Sequence, residues 1–221
     1  MNAEPVLSAD DTAMRDGARW RQPLAAPALV VGLVILAIGM VIVRNGTVPR
    51  WERSIFRAVN DLPEFLYRPL WPFQQLGNLL VGPVVAIVAA VLHRYRLAIA
   101  VLIATVAKLV CERLVKVVAS RQRPGTSIGP DVHLRGNVPA GGESFVSGHA
   151  VLIAALAGLV MPYLPGRWKV VPWVVVVLVM VTRVYVGAHN PLDVVCGAGL
   201  GLAIAGAINI FLGPPSRGSR S

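Results

Sequence analysis

The sequence is short of charged residues and of cysteine, and each shortage excludes a class of protein. Only 14% of the 221 residues are charged, while 55% are hydrophobic and the mean hydropathy is +0.65. This is too apolar for an ordinary soluble domain. The two cysteines, Cys111 and Cys196, both lie in apolar runs. We therefore expect neither a disulfide framework nor a thiolate metal site.

The net charge of +10 also lacks a dense basic run. Nucleic-acid binding has no support beyond the charge itself, and anionic lipid headgroups are the expected counterpart. No internal repeat is evident, and nothing in the sequence indicates an oligomeric state. The first 22 residues contain acids and arginines without a small-residue cleavage site, so we expect the first apolar run to be retained.

Long apolar runs predict an all-α integral membrane bundle. One membrane domain is expected over residues 23–212, between a polar cytoplasmic tail at 1–22 and a polar C-terminal tail at 213–221. Six transmembrane helices are predicted over about 23–43, 73–92, 97–120, 147–164, 170–186 and 191–212.

Between the first two spans, segment 44–68 repeats apolar residues at helical spacing among arginines. These residues are Trp51, Ile55, Phe56, Val59 and Leu62. The pattern predicts an amphipathic helix that lies in the membrane interface. Basic residues in the tails and in short loops 93–96 and 165–169 favour cytoplasmic tails, although segment 44–68 holds five arginines.

Polar residues stand at the edges of these apolar runs, where a charge is costly unless it has a function. The sets are Lys116-x6-Arg123-Pro124, then Ser147-Gly148-His149, then Arg183-x5-His189-x3-Asp193. Odd spans leave the membrane, and even spans enter it, on the same side. The topology therefore predicts that all three sets meet at one end of the bundle, together with the Gly- and Pro-rich loop 121–146.

The residue types fit a site that binds and attacks a phosphate. Lys116, Arg123 and Arg183 can offset its negative charge. Ser147 and Gly148 begin a helix, where free N–H groups and the helix dipole favour an anion, and a helix cap at Ser147 is compatible with this.

The two histidines are the candidates for the chemistry itself. His189 is the candidate nucleophile, with Asp193 four residues later to orient its ring. His149 is the candidate general acid and base. A metal held by His149, His189 and Asp193 is the rival interpretation, but three nearby cations would repel it, so we expect no metal and no other cofactor.

Further charges fall on the third span. Lys108, Glu112 and Lys116 recur every four residues and share one helical face, which must point into the bundle or a wet cavity. A structural ion pair is the simplest interpretation of Lys108 and Glu112.

The three-part pattern resembles the signature of the type 2 phosphatidic acid phosphatase family, membrane relatives of the vanadium haloperoxidases. Lys116, Arg123 and Pro124 match its first part, Ser147-Gly148-His149 its second, and Arg183, His189 and Asp193 its third. Val146 stands where that family usually has proline, and Thr182 where it has serine. The resemblance covers roughly residues 76–212. It implies a phosphohistidine on His189, His149 as acid and base, and a site on the outer membrane face.

The lead hypothesis is therefore an integral membrane phosphatase that acts on a lipid phosphate or pyrophosphate, such as a polyprenyl pyrophosphate or phosphatidate. A phosphotransferase that passes the phosphoryl group to an alcohol would use the same residues. A non-catalytic lipid-phosphate binder or a transporter is a different class, and the lack of inverted repeats argues against transport. The expected location is the plasma membrane.

Overall fold

The computed structural model describes residues 24–213, so the predicted tail 1–22 and all but Gly213 of the predicted tail 213–221 lie outside the described part. Within 24–213 the chain is helical and contains no β-strand. Its α-helices are α1 (Ala25–Val43), α2 (Arg50–Asn60), α3 (Tyr67–Leu76), α4 (Val81–Val91), α5 (Tyr95–Val118), α6 (Pro124–Ser127), α7 (Gly148–Val160), α8 (Val171–Tyr185) and α9 (Pro191–Leu212). The all-α prediction is confirmed.

Three helical stretches of the described chain are long and apolar enough to cross a membrane. They are α1, the stretch Gly166–Tyr185 that ends in α8, and α9. Helix α5 has 24 residues but carries the charges noted above, and α7 is a shorter apolar helix. A fourth candidate is the bent pair Glu64–Leu76 and Val81–Val91, if it forms one span. The count of six stays a prediction.

The expected continuous helix over 73–92 is wrong. Helix α3 ends at Leu76, α4 starts at Val81, and the two segments are bent by 65°. The break has a local cause, because the Asn78 side-chain oxygen accepts the N–H of Leu80 at 3.2 Å. Such a turn competes with the helix, and Pro83 is tolerated only near the start of the new one.

Helix α9 is the centre of the bundle, and it packs along α1 and α7. Small residues allow the close approach to α1. A Cβ on Gly32 would lie 2.3 Å from the Gly199 carbonyl oxygen, and one on Gly206 would lie 2.6 Å from the Leu29 nitrogen. Without a hydrophobic driving force between helices in lipid, such close packing is what holds membrane helices together.

The outer faces of α1, α4 and α5 expose large aliphatic side chains. Val41, Val91 and Val117 are 66%, 70% and 77% exposed. A continuous apolar surface of this kind fits a lipid environment.

Helix α2 packs its inner face against α8 and the start of α9. Glu52, Phe56 and Asn60 are completely buried, whereas Trp51 and Ile55 are about half exposed. Phe56 was expected on the apolar face, but the two polar residues beside it were not. The placement of α2 in the membrane interface stays a prediction.

We expect Gly32→Leu to lower the melting temperature of the protein in detergent by several degrees. The added side chain would collide with α9, and overpacking of this kind costs about 1–3 kcal/mol. Val34→Leu is the matched control, because Val34 lies on the same helix and is 50% exposed. Equal melting temperatures for the two variants would contradict the close α1–α9 packing.

Candidate active site

The three predicted segments meet at one end of the bundle, as the topology requires. Ser147, the residue before α7, donates its backbone N–H to the carbonyl oxygen of Asp193 in α9 at 2.9 Å. Arg123, in the loop after α5, donates a guanidinium N–H to the carbonyl oxygen of Ala188 at 3.1 Å. Direct bonds therefore tie the α5 exit, the α7 entry and the α8–α9 turn into one site.

His189 lies in the α8–α9 turn and is 3% exposed. Its Nδ1 is 3.0 Å from the carbonyl oxygen of Ser144. That oxygen can only accept, so the proton sits on Nδ1 and the Nε2 lone pair is free. Burial lowers the pKa of His189 to about 4, although the Asp193 carboxylate opposes the shift. The ring is therefore neutral at neutral pH.

Asp193 is not the nearest acceptor for that ring. Its Oδ2 lies 3.8 Å from His189 Nδ1 and accepts the backbone N–H of Asn190 at 2.8 Å. The sequence predicts a His–Asp pair, but the structure inserts the Ser144 carbonyl as the closer partner. Ser144 carries no motif, and its role depends on a backbone oxygen that the sequence does not reveal.

The other oxygen of Asp193 binds a residue that the sequence analysis missed. Arg121 Nη1 donates to Asp193 Oδ1 at 2.9 Å and to Glu52 Oε1 at 3.0 Å, and its Nη2 also contacts Glu52. All three side chains are completely buried. A charged residue two positions before Arg123 was the only available sequence signal.

His149 lies in the first turn of α7, where the bend between α3 and α4 reaches it. A Cβ on Gly77 would lie 2.5 Å from the Cβ of His149, so only glycine allows this contact. Arg183, His189 and Arg123 are among the charged or ionisable groups that act on the His149 ring. Gly77 was not predicted as a site residue.

Four buried polar atoms around the site have no hydrogen-bond partner within the described residues, and two of them are Arg121 Nε and Asn190 Oδ1. The other two are the hydroxyl oxygen of Ser147 and Nε of Arg183. Such unpaired atoms are rare in protein interiors. Ser147 and Arg183 belong to the predicted phosphate-binding set, and an anion that bound between them would satisfy both.

Lys116 has a different partner from the one expected. Its Nζ lies 2.6 Å from Glu112 Oε1, and Lys108 Nζ lies 2.7 Å from Glu112 Oε2. The predicted Lys108–Glu112 ion pair is therefore present, and Lys116 extends it. The carboxylate also contacts the α7 entry, because a Cβ on Gly148 would lie 2.4 Å from Glu112 Oε2.

Beside this ion cluster an open cavity of about 690 Å³ runs along α5. Lys108, Glu112, Arg113, Lys116 and Glu143 supply its polar lining. Leu109 and Val117 are apolar and also line it. The cavity thus offers charged and aliphatic surfaces side by side, as an amphipathic ligand requires.

Two solved structures share this fold. Aquifex aeolicus LpxE aligns with a TM-score of 0.63 and 24% identity, over 72% of this chain and 93% of that chain. A transmembrane PAP2-type phosphatidylglycerolphosphate phosphatase from Bacillus subtilis aligns with a TM-score of 0.61 and 17% identity, over 85% of this chain and 94% of that chain. No curated protein sequence matches the chain.

The long apolar helices mark this chain as an integral membrane protein. Residues 94–214 match the model of the PAP2 superfamily. This range is more than half of the chain and contains all three polar segments of the site. The chain therefore belongs to the PAP2 superfamily.

Proposed function

We propose that the protein is a phosphatase of lipid phosphates or lipid pyrophosphates. The observation that carries the proposal is that Ser147 Oγ and Arg183 Nε, two buried donors, have no partner among residues 24–213, and that Arg183 acts electrostatically on both histidines. Membership of the PAP2 superfamily and the phosphatase named among the similar structures support it.

Binding of the phosphate falls to the residues around the α7 entry. Arg183 and Arg123 supply cationic N–H groups, and Ser147 supplies a hydroxyl. Gly148 has no side chain, so the backbone can approach the phosphate closely. Lys116 is the third cation, and it meets the phosphate by exchanging Glu112 for a phosphoryl oxygen.

Catalysis begins at His189, whose neutral ring presents Nε2. The Nε2–P bond forms while the bond from phosphorus to the leaving oxygen breaks, and His149 gives that oxygen a proton. His149 then takes a proton from water, which attacks phosphorus and breaks the Nε2–P bond. Phosphate leaves, and His189 is neutral again. The negative charge on the non-bridging phosphoryl oxygens is stabilised by Arg123, Arg183 and Lys116, so the scheme uses no metal.

The site lies at one end of the helices, which suits a substrate with its tail in lipid and its phosphate at the surface. We place it on the outer face of the plasma membrane, in a bundle of six spans with α2 at the interface. The basic residues of the predicted cytoplasmic segments support this orientation, namely Arg15, Arg19, Arg21, Arg94, Arg96, Arg167, Lys169, Arg217 and Arg220.

The decisive experiment is phosphate release by the purified protein from a short-chain lipid phosphate in detergent with a chelator present. We expect turnover without added metal and a loss of at least about 1,000-fold in His189→Ala, because the nucleophile is removed. His93→Ala is the matched control, since His93 lies in the α4–α5 loop away from the site.

Activity of His189→Ala within tenfold of wild type would overturn the nucleophile. Loss of wild-type activity on chelation would reopen the metal interpretation. Addition of an alcohol separates hydrolysis from transfer, because a phosphotransferase would release a phosphoalcohol in place of phosphate.

The role of His149 is tested by the leaving group. We expect His149→Ala to lower kcat on an alkyl phosphate at least about 100-fold but to affect an activated aryl phosphate much less. A poor leaving oxygen needs the proton, and a good one does not. Equal losses on both substrates would show that His149 only binds phosphate.

The two lysines that flank Glu112 provide a matched pair. Lys116→Met should weaken inhibition by orthovanadate at least about tenfold, because a cation that contacts the transferred group is lost. Lys108→Met removes the same charge from the same carboxylate and should change the inhibition constant less than threefold. An equal effect of both changes would mean that Lys116 acts only through Glu112.

A further inference from the structure

The completely buried guanidinium of Arg121 joins two distant carboxylates. It donates to Glu52 of α2 through both Nη atoms and to Asp193 of α9 at 2.9 Å. Along the chain, Glu52 is 69 residues and Asp193 is 72 residues away from Arg121. Three buried charges are a poor source of stability, because their desolvation offsets most of their mutual attraction. Their arrangement therefore calls for an account beyond stability.

Glu52 also holds the first turn of α9 directly. Its Oε1 accepts the backbone N–H of Leu192 at 2.8 Å. Asp193 accepts the N–H of Asn190 at 2.8 Å in the same turn. The free N–H groups at the start of α9 thus bind two carboxylates, one from its own turn and one from α2. This turn immediately follows His189, so its position sets the position of the ring.

The backbone of residue 121 supports His189 by a second route. The Arg121 carbonyl oxygen accepts the N–H of Ser144 at 2.8 Å, and the Ser144 carbonyl oxygen faces His189 Nδ1 at 3.0 Å. Ser144 and Asp193 both present an oxygen to Nδ1, the latter through Oδ2 at 3.8 Å. Residue 121 bonds both of them at other atoms, namely the N–H of Ser144 and Oδ1 of Asp193. One residue therefore contacts both residues on the acceptor side of the ring.

The charges around the His189 ring are unevenly distributed as well. Glu52, Arg121 and Asp193 sum to −1 on the Nδ1 side of the ring. Arg123 and Arg183 act on the ring as cations. When Nε2 bonds to phosphorus the ring becomes cationic, and a net negative cluster behind Nδ1–H stabilises that charge.

We propose that Glu52 and Arg121 are positioning residues for His189, which act through Asp193 and Ser144 and do not touch the substrate. The proposal rests on the proposed function, since it makes His189 the nucleophile. It adds to the site a helix that precedes the region matched by the family model, because α2 ends before residue 94.

The test is Glu52→Gln, which keeps the shape of the side chain and an acceptor for Leu192 but removes the charge. We expect kcat to fall about 10- to 100-fold, as small displacements of a reacting group do, with KM changed less than threefold. Glu64→Gln is the matched control. Glu64 also pairs with a mostly buried arginine, Arg135 at 2.7 Å, but lies away from His189 and should leave both constants unchanged.

The double variant Glu52→Leu with Arg121→Met distinguishes a purely structural role of the two residues from a positioning role. Replacement of a buried ion pair by apolar side chains often restores stability. Asp193 keeps its charge in this variant, so we expect a melting temperature between those of Arg121→Met and the wild type, and a kcat that stays low. Recovery of kcat together with stability would overturn the proposal, as would unchanged kcat in Glu52→Gln.

A reading independent of turnover comes from nitrogen NMR of the four histidines, with His189→Asn for assignment. We expect one Nδ1-protonated tautomer at His189 in the wild type and a mixture of tautomers in Glu52→Gln. If the wild-type protein is inactive but the two proteins differ in the His189 tautomers as expected, the proposed function is refuted and the positioning role stands. Identical His189 spectra in the two proteins would overturn the positioning role whatever the activity.

Discussion

The first turn of α9 is where the contacts of the site converge, and the carboxylate of Asp193 is their centre. The backbone oxygen of Asp193 accepts the N–H of Ser147 at the α7 entry. Its side chain accepts the N–H of Asn190 and binds the guanidinium of Arg121. A negative charge at the third position of a helix is favourable, because it meets free N–H groups and the positive end of the dipole. Loss of this carboxylate would remove the bonds to Asn190 and Arg121, whereas the bond to Ser147 comes from the main chain.

The electrostatics of the site are a balance between cations for a phosphate and carboxylates that occupy them. Both Nη atoms of Arg121 are bound by Glu52 and Asp193, and its Nε has no partner within the described residues, whereas Lys116 is shared with Glu112. Arg183 keeps an unpaired Nε within the described part of the chain. The cations around the site therefore differ in how many of their N–H groups are free to bind a phosphate, and only those with free N–H groups suit a ligand.

The membrane scaffold contributes close packing. Glycines on α1 and α9 bring the two helices together below the site. The bend between α3 and α4 brings Gly77 against His149. A straight helix over 73–92 would continue past this point without the turn that makes the contact. The irregular segment thus positions a side chain of the proposed chemistry.

The sequence by itself determined the helical class, the apolar spans and the order of the three polar segments. These follow from local properties, since hydropathy, Pro and Gly positions and odd–even topology need no knowledge of distant neighbours. The three-part pattern of polar residues also identified the PAP2 superfamily correctly.

The tertiary structure alone decided which partners each charged residue has. Arg121 and Arg123 are two residues apart, but one is buried between carboxylates and the other binds a backbone carbonyl of the α8–α9 turn. Glu52 reaches the site from α2, and Ser144 faces His189 through a main-chain oxygen. Such pairings join residues 45 to 140 positions apart. They depend on helix packing and chain direction, and no local pattern in the sequence specifies either.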